Sequence, residues 1–219
     1  MRAGLDLKAL DKKCYYRFMI EYLSYDQIKE TAQSCTKCVL SKTRTNVVFG
    51  HGPVPCHIML IGEGPGEQED LTGLPFVGRA GQLLTQILAS INITRENDIY
   101  IANIVKCRPP ENRVPAKEES TACFPYLEAQ IKFIKPSIIL LAGSPACKTA
   151  LKTDEPISKI RGKWFKLPWD ENISVMPIFH PSYLLRNASK EKGSPKWLTW
   201  QDMKEVSNAL DFIRKVETA

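Results

Sequence analysis

The stretch IMLIGEGPGEQEDLTGLPFVGRAGQLL, Ile58 to Leu84, passes from an apolar run through a glycine-rich turn into an amphipathic pattern. An apolar run of strand length, then glycine punctuation, then a 3.6-residue period reads as strand, turn and helix. Turns of this kind ordinarily cradle phosphates with backbone amides. This one carries Glu63, Glu67, Glu69 and Asp70, and no lysine precedes Arg79. The lysine of GxxxxGK[ST] is missing, and G-x-G-x-x-G would need a glycine at Gln68. Carboxylates also repel phosphates, so a nucleotide loop is the poorer reading. An acid beside such a turn suits the orientation of a water molecule, or a cationic transition state.

Working outward, apolar runs over 57–62, 99–105, 137–142 and 174–179 predict buried strands. Helical periodicity covers 79–91, 116–134, 145–151 and 199–216. Pro115 suits the first turn of the second helix, and Pro125 is expected to perturb that helix or mark its real start. Alternating strands and helices imply a three-layer α/β/α sandwich around a four-stranded parallel sheet. Residues 1–30 read as a helical N-terminal extension, with Tyr15, Tyr16, Phe18 and Met19 packing on the core. No repeat or linker appears, so residues 1–219 are expected to form a single domain. In such sheets ligands bind beyond the carboxyl ends of the strands. Those ends are GEGPGE, the 103–108 segment, GSP at 143–145 and HPSYLL at 180–185, so every unusual polar motif falls at one edge.

Hydrophobic content of 43% and charged content of 25% are those of a soluble globular protein. No run approaches the roughly 18 consecutive apolar residues of a membrane span. The opening MRAGLDLKALDKK is too polar for a secretory signal, so a cytoplasmic protein with no membrane partner is expected. A net charge of +6 is compatible with a polyanionic partner. Seven cysteines, an odd number, argue against a full disulfide framework. Cys35-Thr-Lys-Cys38, with Cys107 and Cys123, can supply one four-thiolate site. Spacing alone leaves structural zinc and an iron–sulfur cluster both open. Cys14, Cys56 and Cys147 have no partner at motif spacing and read as small buried hydrophobes.

Taken singly, the remaining residues also have ordinary readings. Phe76, between Gly73 and Gly78, is either core or a stacking platform. Asn103 can cap a turn, His180 can be a strand-end histidine, and Leu184 and Leu185 can be core. Together, GEGPGEQED, GLPFVGRAGQLL, NIVKCRPPENR with its following Cys123, and HPSYLLR resemble the family 4 uracil-DNA glycosylases. The match runs in order from Cys35 to Arg186, about 70% of the chain.

The resemblance implies a DNA repair enzyme that hydrolyses the N-glycosidic bond of deoxyuridine and releases free uracil. It implies a [4Fe-4S] cluster on Cys35, Cys38, Cys107 and Cys123, which chooses iron–sulfur over zinc. Glu63 matches the acid that positions the hydrolytic water, Phe76 the aromatic that stacks on the flipped base, and Asn103 the asparagine that reads uracil. His180 matches the histidine expected near uracil O2, and Leu184 and Leu185 lie where the superfamily's duplex-probing loop sits. The turn amides around Gly62 and Gly64 would hold base and backbone, and Glu69 or the Gly66 region would exclude thymine by shape. For DNA, double- or single-stranded, the contacts are expected to be mainly electrostatic and steeply salt-dependent. Amides at Ser144 are expected to meet a phosphate, with Lys106, Arg108, Arg113, Arg161, Lys163 and Arg186 nearby. The cytoplasmic protein would associate with the nucleoid through that DNA, and a monomer is expected. A related branch captures uracil covalently with a histidine in an extra loop; CRPPENRVPAKEE contains none, which argues for turnover. The competing reading is a non-catalytic redox or DNA-damage-binding protein that merely carries the cluster.

Overall fold

Five strands form the sheet: β1 (Ile58–Gly62), β2 (Ile99–Asn103), β3 (Ile138–Ala142), β4 (Phe165–Leu167) and β5 (Asp170–Ile178). This computed structural model describes residues 12–217. The expectation for residues 1–11, and that for the Tyr16 side chain, lie outside the described residues.

Strand order is β2-β1-β3-β5-β4, with β1, β2, β3 and β5 parallel. Every residue of β1, β2 and β3 is buried, as a sheet covered on both faces requires. The period-2 alternation of a strand then assigns side chains to two cores. Met59 and Ile61 join one cluster, and Ile58 and Leu60 the other.

Helices α1 (Lys12–Tyr22), α2 (Tyr25–Gln33), α5 (Lys117–Ile134) and α6 (Ser144–Leu151) cover the first face, through Tyr15, Met19, Ile28, Leu127 and Cys147. The second face is covered by α4 (Arg79–Ala89) and α9 (Pro195–Glu217), through Leu84, Leu88, Met203, Val206 and Leu210. Each such side chain, fully buried, contributes about 1.5–3 kcal/mol. The three layers expected are present.

The sheet has a fifth strand that the periodicity did not disclose. β4 has only three residues, of which Leu167 alone is buried, and it pairs antiparallel with β5. That pairing draws the polar Asp170–Asn172 into β5, which therefore starts earlier than its apolar run. Three short helices were also silent: α3 (Glu67–Thr72), α7 (Ile157–Ile160) and α8 (Pro181–Arg186).

Pro125 neither starts nor breaks α5; the helix runs through it. An interior proline costs ~3 kcal/mol. Here Pro125 is itself buried, beside buried Tyr126, Leu127 and Ala129, and that packing offsets the lost hydrogen bond. The helix begins at Lys117, two residues past Pro115, after the cap Ala116, where Glu119 accepts the Ala116 N–H at 2.7 Å.

Candidate active site

The parallel register brings the motif residues to one edge. Gly62, the last residue of β1, pairs with Asn103, the last of β2. Beyond them the ladder continues, with Ile104 N–H donating to Gly62 O at 2.9 Å and Val105 N–H to Glu63 O at 3.2 Å. On the other side Ala142 of β3 pairs with Ile178 of β5, two residues before His180. A cavity of about 620 Å³ opens there, and Glu63, Gly64, Glu69, Phe76, Asn103, Ser144, His180 and Arg186 all line it. Such a volume lies in the range of small-ligand sites.

Phe76 is held in place from several directions. Its backbone adopts φ 52°, a left-handed conformation costly for an aromatic residue. Glu69 accepts the N–H groups of Val77 (2.8 Å), Gly78 (2.9 Å) and Gly66 (3.1 Å), tying both halves of the loop together. Arg95 donates to Phe76 O and Pro75 O, each at 2.5 Å. Two glycines permit the close approach. A Cβ at Gly81 would lie 1.8 Å from Phe76 O, and one at Gly62 would lie 2.6 Å from Phe76 Cζ and 2.4 Å from Asn103 Oδ1. Gly62 therefore acts by its missing side chain. Arg95 and Gly81 escaped the sequence reading: only the GRAGQ pattern hinted at Gly81, and nothing local marked Arg95.

Asn103 is 1% exposed, and its side-chain Oδ1 is the one buried side-chain polar atom without a hydrogen bond among the described residues. A buried unsatisfied acceptor costs about 1–3 kcal/mol. Asn103 lines the cavity, and its buried acceptor has no donor among the described residues.

His180 caps α8, and Pro181 takes the first helical position. The Ser182 main-chain N–H donates to His180 Nδ1 at 3.1 Å, and the Ser182 hydroxyl lies 2.8 Å from the same nitrogen. Nδ1 is thereby an acceptor, and a neutral ring carries its hydrogen on Nε2. Burial first, and Arg186 second, bring the His180 pKa down to about 4. The imidazole is neutral at physiological pH, a donor without charge. Its ring centroid is 5.7 Å from that of Phe76. Burial also raises the Glu63 carboxyl above its ordinary value.

Several expected DNA contacts are placed elsewhere. Leu184 is 1% exposed, on a helix packed against α4, and does not border the cavity. An amphipathic turn has to bury one face, and Leu184 lies on it; a buried side chain cannot wedge into a duplex. Leu185 is half-buried, whereas Tyr183 is exposed at the cavity rim with its ring 5.1 Å from that of Phe179. Lys106 is 2% exposed, and Arg161 is half-buried and held in an ion pair with buried Asp202, so neither is free for a phosphate. Arg186 is exposed at the rim, and Lys163 is exposed.

Cys35, Cys38, Cys107 and Cys123 line one small cavity, together with Arg44, Lys106 and Tyr126. All four are free thiols. Arg44 Nη1 donates to Cys35 O (2.7 Å) and Cys107 Sγ (3.3 Å), and the Lys106 main-chain N–H approaches Cys123 Sγ at 3.3 Å. Among the described residues no group of three or more His, Cys, Asp or Glu is arranged to hold a metal ion.

Comparison with known proteins accords with this geometry. The family model of the uracil DNA glycosylase superfamily matches residues 49–204. A type-4 uracil-DNA glycosylase of Thermotoga maritima is 46% identical over 189 residues, 86% of this chain and 94% of that protein. The chain belongs to the type-4 uracil-DNA glycosylase family. Two further type-4 uracil-DNA glycosylases agree. That of Sulfurisphaera tokodaii is 44% identical over 77% of this chain and 79% of its own length, and that of Archaeoglobus fulgidus 43% identical over 74% and 83%. The cysteine pair at 35 and 38 precedes the stretch matched by the superfamily model, while the cavity residues all fall within it. No helix among the described residues is long and apolar enough to cross a membrane.

Proposed function

We propose that the cavity receives a uracil swung out of DNA and that the chain hydrolyses its N-glycosidic bond, leaving an abasic site. The observation that carries this reading is the orphaned Oδ1 of Asn103 beside Phe76 and His180 in one cavity. A base inside a duplex hides its glycosidic bond, so it has to be extruded. Stacking on Phe76 offsets part of that cost, with about 1–3 kcal/mol typical for a base on an aromatic ring.

Asn103 supplies the discrimination. Its Oδ1 accepts from uracil N3–H while its amide donates to O4. Cytosine presents a bare N3 and an exocyclic amine, leaving buried groups unpaired, and such a mismatch costs about 10⁴-fold or more. Thymine differs by a methyl group and is excluded by shape. The Gly66–Glu69 wall suits that task, because its carboxylate is immobilised by three backbone amides.

Bond cleavage places positive charge on the sugar and negative charge on uracil. The His180 ring offers its neutral Nε2–H to the developing oxyanion at O2. The Glu63 carboxylate faces the cationic sugar and holds the attacking water. Glu63→Gln should retain uracil-DNA affinity and lose about a hundredfold in single-turnover excision, the lower end for a positioned acid–base group. With Glu63 raised above its ordinary value, the rate should fall as pH drops through its pKa, since protonation removes the charge. The Gln variant should lack that acid limb; wild-type rates in the variant would remove Glu63 from the mechanism.

Cys35, Cys38, Cys107 and Cys123 hold a [4Fe-4S] cluster in this reading. Four thiols line one small cavity, a donor set that suits a thiolate-ligated cluster. Burial pushes the Cys123 thiol up to about 12, so binding of a metal there would be coupled to loss of its proton. When bound, the cluster ties the 35–38 segment to the loop after β2 and to α5. The hydrolysis itself runs on Glu63 and His180.

DNA meets the cavity rim at Ser144, Tyr183 and Arg186. Release of free uracil from a uracil-containing oligonucleotide tests the whole reading. A protein that binds such DNA and releases nothing would be a damage-binding module instead.

A further inference from the structure

Asn103 is held by its main chain as well as by the sheet. Its carbonyl accepts from Lys106 Nζ at 2.8 Å, and the same ammonium donates to Gln130 Oε1 at 2.5 Å. Gln130 is fixed in turn, donating to Phe49 O at 2.7 Å and to the Tyr100 hydroxyl at 3.1 Å. Tyr100 and Tyr25 share a hydrogen bond of 2.6 Å at the end of the chain of contacts. The ammonium also lies 5.9 Å from the Phe49 ring centroid.

Lys106 is 2% exposed, and among the described residues no carboxylate forms an ion pair with it. Burying a lysine head is costly, and an apolar side chain of similar volume would fill the same space at lower cost. Its placement is therefore not explained by packing. What it does touch is the backbone of the residue whose side chain carries an unpaired acceptor into the cavity.

We propose that Lys106 is a positioning residue: by gripping the Asn103 carbonyl from within the core, it aims the side-chain amide at the uracil edge. The proposal rests on the reading of the cavity as a uracil site. An acceptor with no internal hydrogen bond has nothing of its own to fix its orientation. Rotation of the 103 peptide would carry Oδ1 away from the base, and Lys106, bridging that peptide to Gln130, opposes the rotation. A preorganised polar group is worth more than one that has to be reoriented on binding.

The Lys106 side chain also lines the cysteine cavity, while its main-chain N–H to Cys123 Sγ survives any side-chain replacement, so an intact visible absorbance in the variant separates this role from support of that cavity. The experiment compares the wild-type protein with Lys106→Met, each purified with its visible absorbance intact. Two inhibition constants are measured in one excision assay: free uracil, and duplex DNA bearing an abasic site, which lacks the base that Asn103 reads. The wild type has first to release uracil; if it does not, the functional reading fails independently of Lys106. The expected result is a rise of tenfold or more in the inhibition constant of uracil, with that of abasic DNA within twofold of wild type. An unchanged uracil constant overturns the proposal, and so does an equal loss of both, which marks general damage. Should Lys106→Met not fold, Gln130→Met leaves the ammonium present and removes one of its two acceptors. A rise of about threefold for uracil alone is then expected, and no change overturns the proposal.

Discussion

Asn103→Leu should stabilise the protein while nearly abolishing uracil excision. The wild-type side chain buries an acceptor with no partner, at a cost of about 1–3 kcal/mol. Leucine has the same number of side-chain heavy atoms and no polar atom, so unfolding should shift upward by roughly 2–12 °C, given about 2–4 °C per kcal/mol for a chain of this size. The same change leaves uracil N3–H and O4 unpaired in a buried site, and kcat/KM should fall by about 10³–10⁴-fold. Stability and activity moving in opposite directions mark a group kept for function. A destabilised variant, or one that excises uracil at the wild-type rate, would remove Asn103 from recognition.

His180→Ala should lower single-turnover excision by about 10²–10³-fold, the effect of losing one preorganised donor to a developing anion. Affinity for abasic DNA should change little, because the donor acts on the departing base. The linkage has a definite sign. The folded-state pKa of about 4 lies below the ordinary 6.5, so folding favours the neutral ring. The stability that follows is fully present above pH 6.5 and is lost as pH falls toward 4. The wild type should therefore lose more stability between pH 7 and pH 5 than His180→Ala does. Equal losses in melts at those two pH values would place the histidine in an ordinary solvated environment.

The parts of this molecule legible in its sequence are those where local pattern and tertiary role agree. β1, β2 and β3 are apolar throughout because both faces of the sheet are covered, and their ends follow directly. Gly62, Asn103 and His180 could be placed at one edge from topology alone, and they are there. The residues that escaped act across sequence distance. Arg95 reaches the Phe76 carbonyl from beyond α4, and Lys106, basic and beside a motif, reads as a DNA contact until its burial is known. Leu184 illustrates the same limit: HPSYLLR fixes a short helix, and only packing against α4 decides which of its side chains faces inward. β4 is invisible for a different reason, since three residues with one inward leucine carry no usable period.

The two borders of the sheet leave little for another chain to copy. At one, β4 is a three-residue strand with exposed Lys166 at its centre, too short and too charged to template a neighbour. At the other, His51 pairs antiparallel with Ile101 through bonds of 2.9 and 2.8 Å, and Val48 N–H caps Lys106 O at 2.7 Å. Fibrous stacking needs a long unpaired row of amides and carbonyls, and neither rim supplies one. A sheet this apolar can thus be concentrated along a polyanion without its flanks knitting copies together.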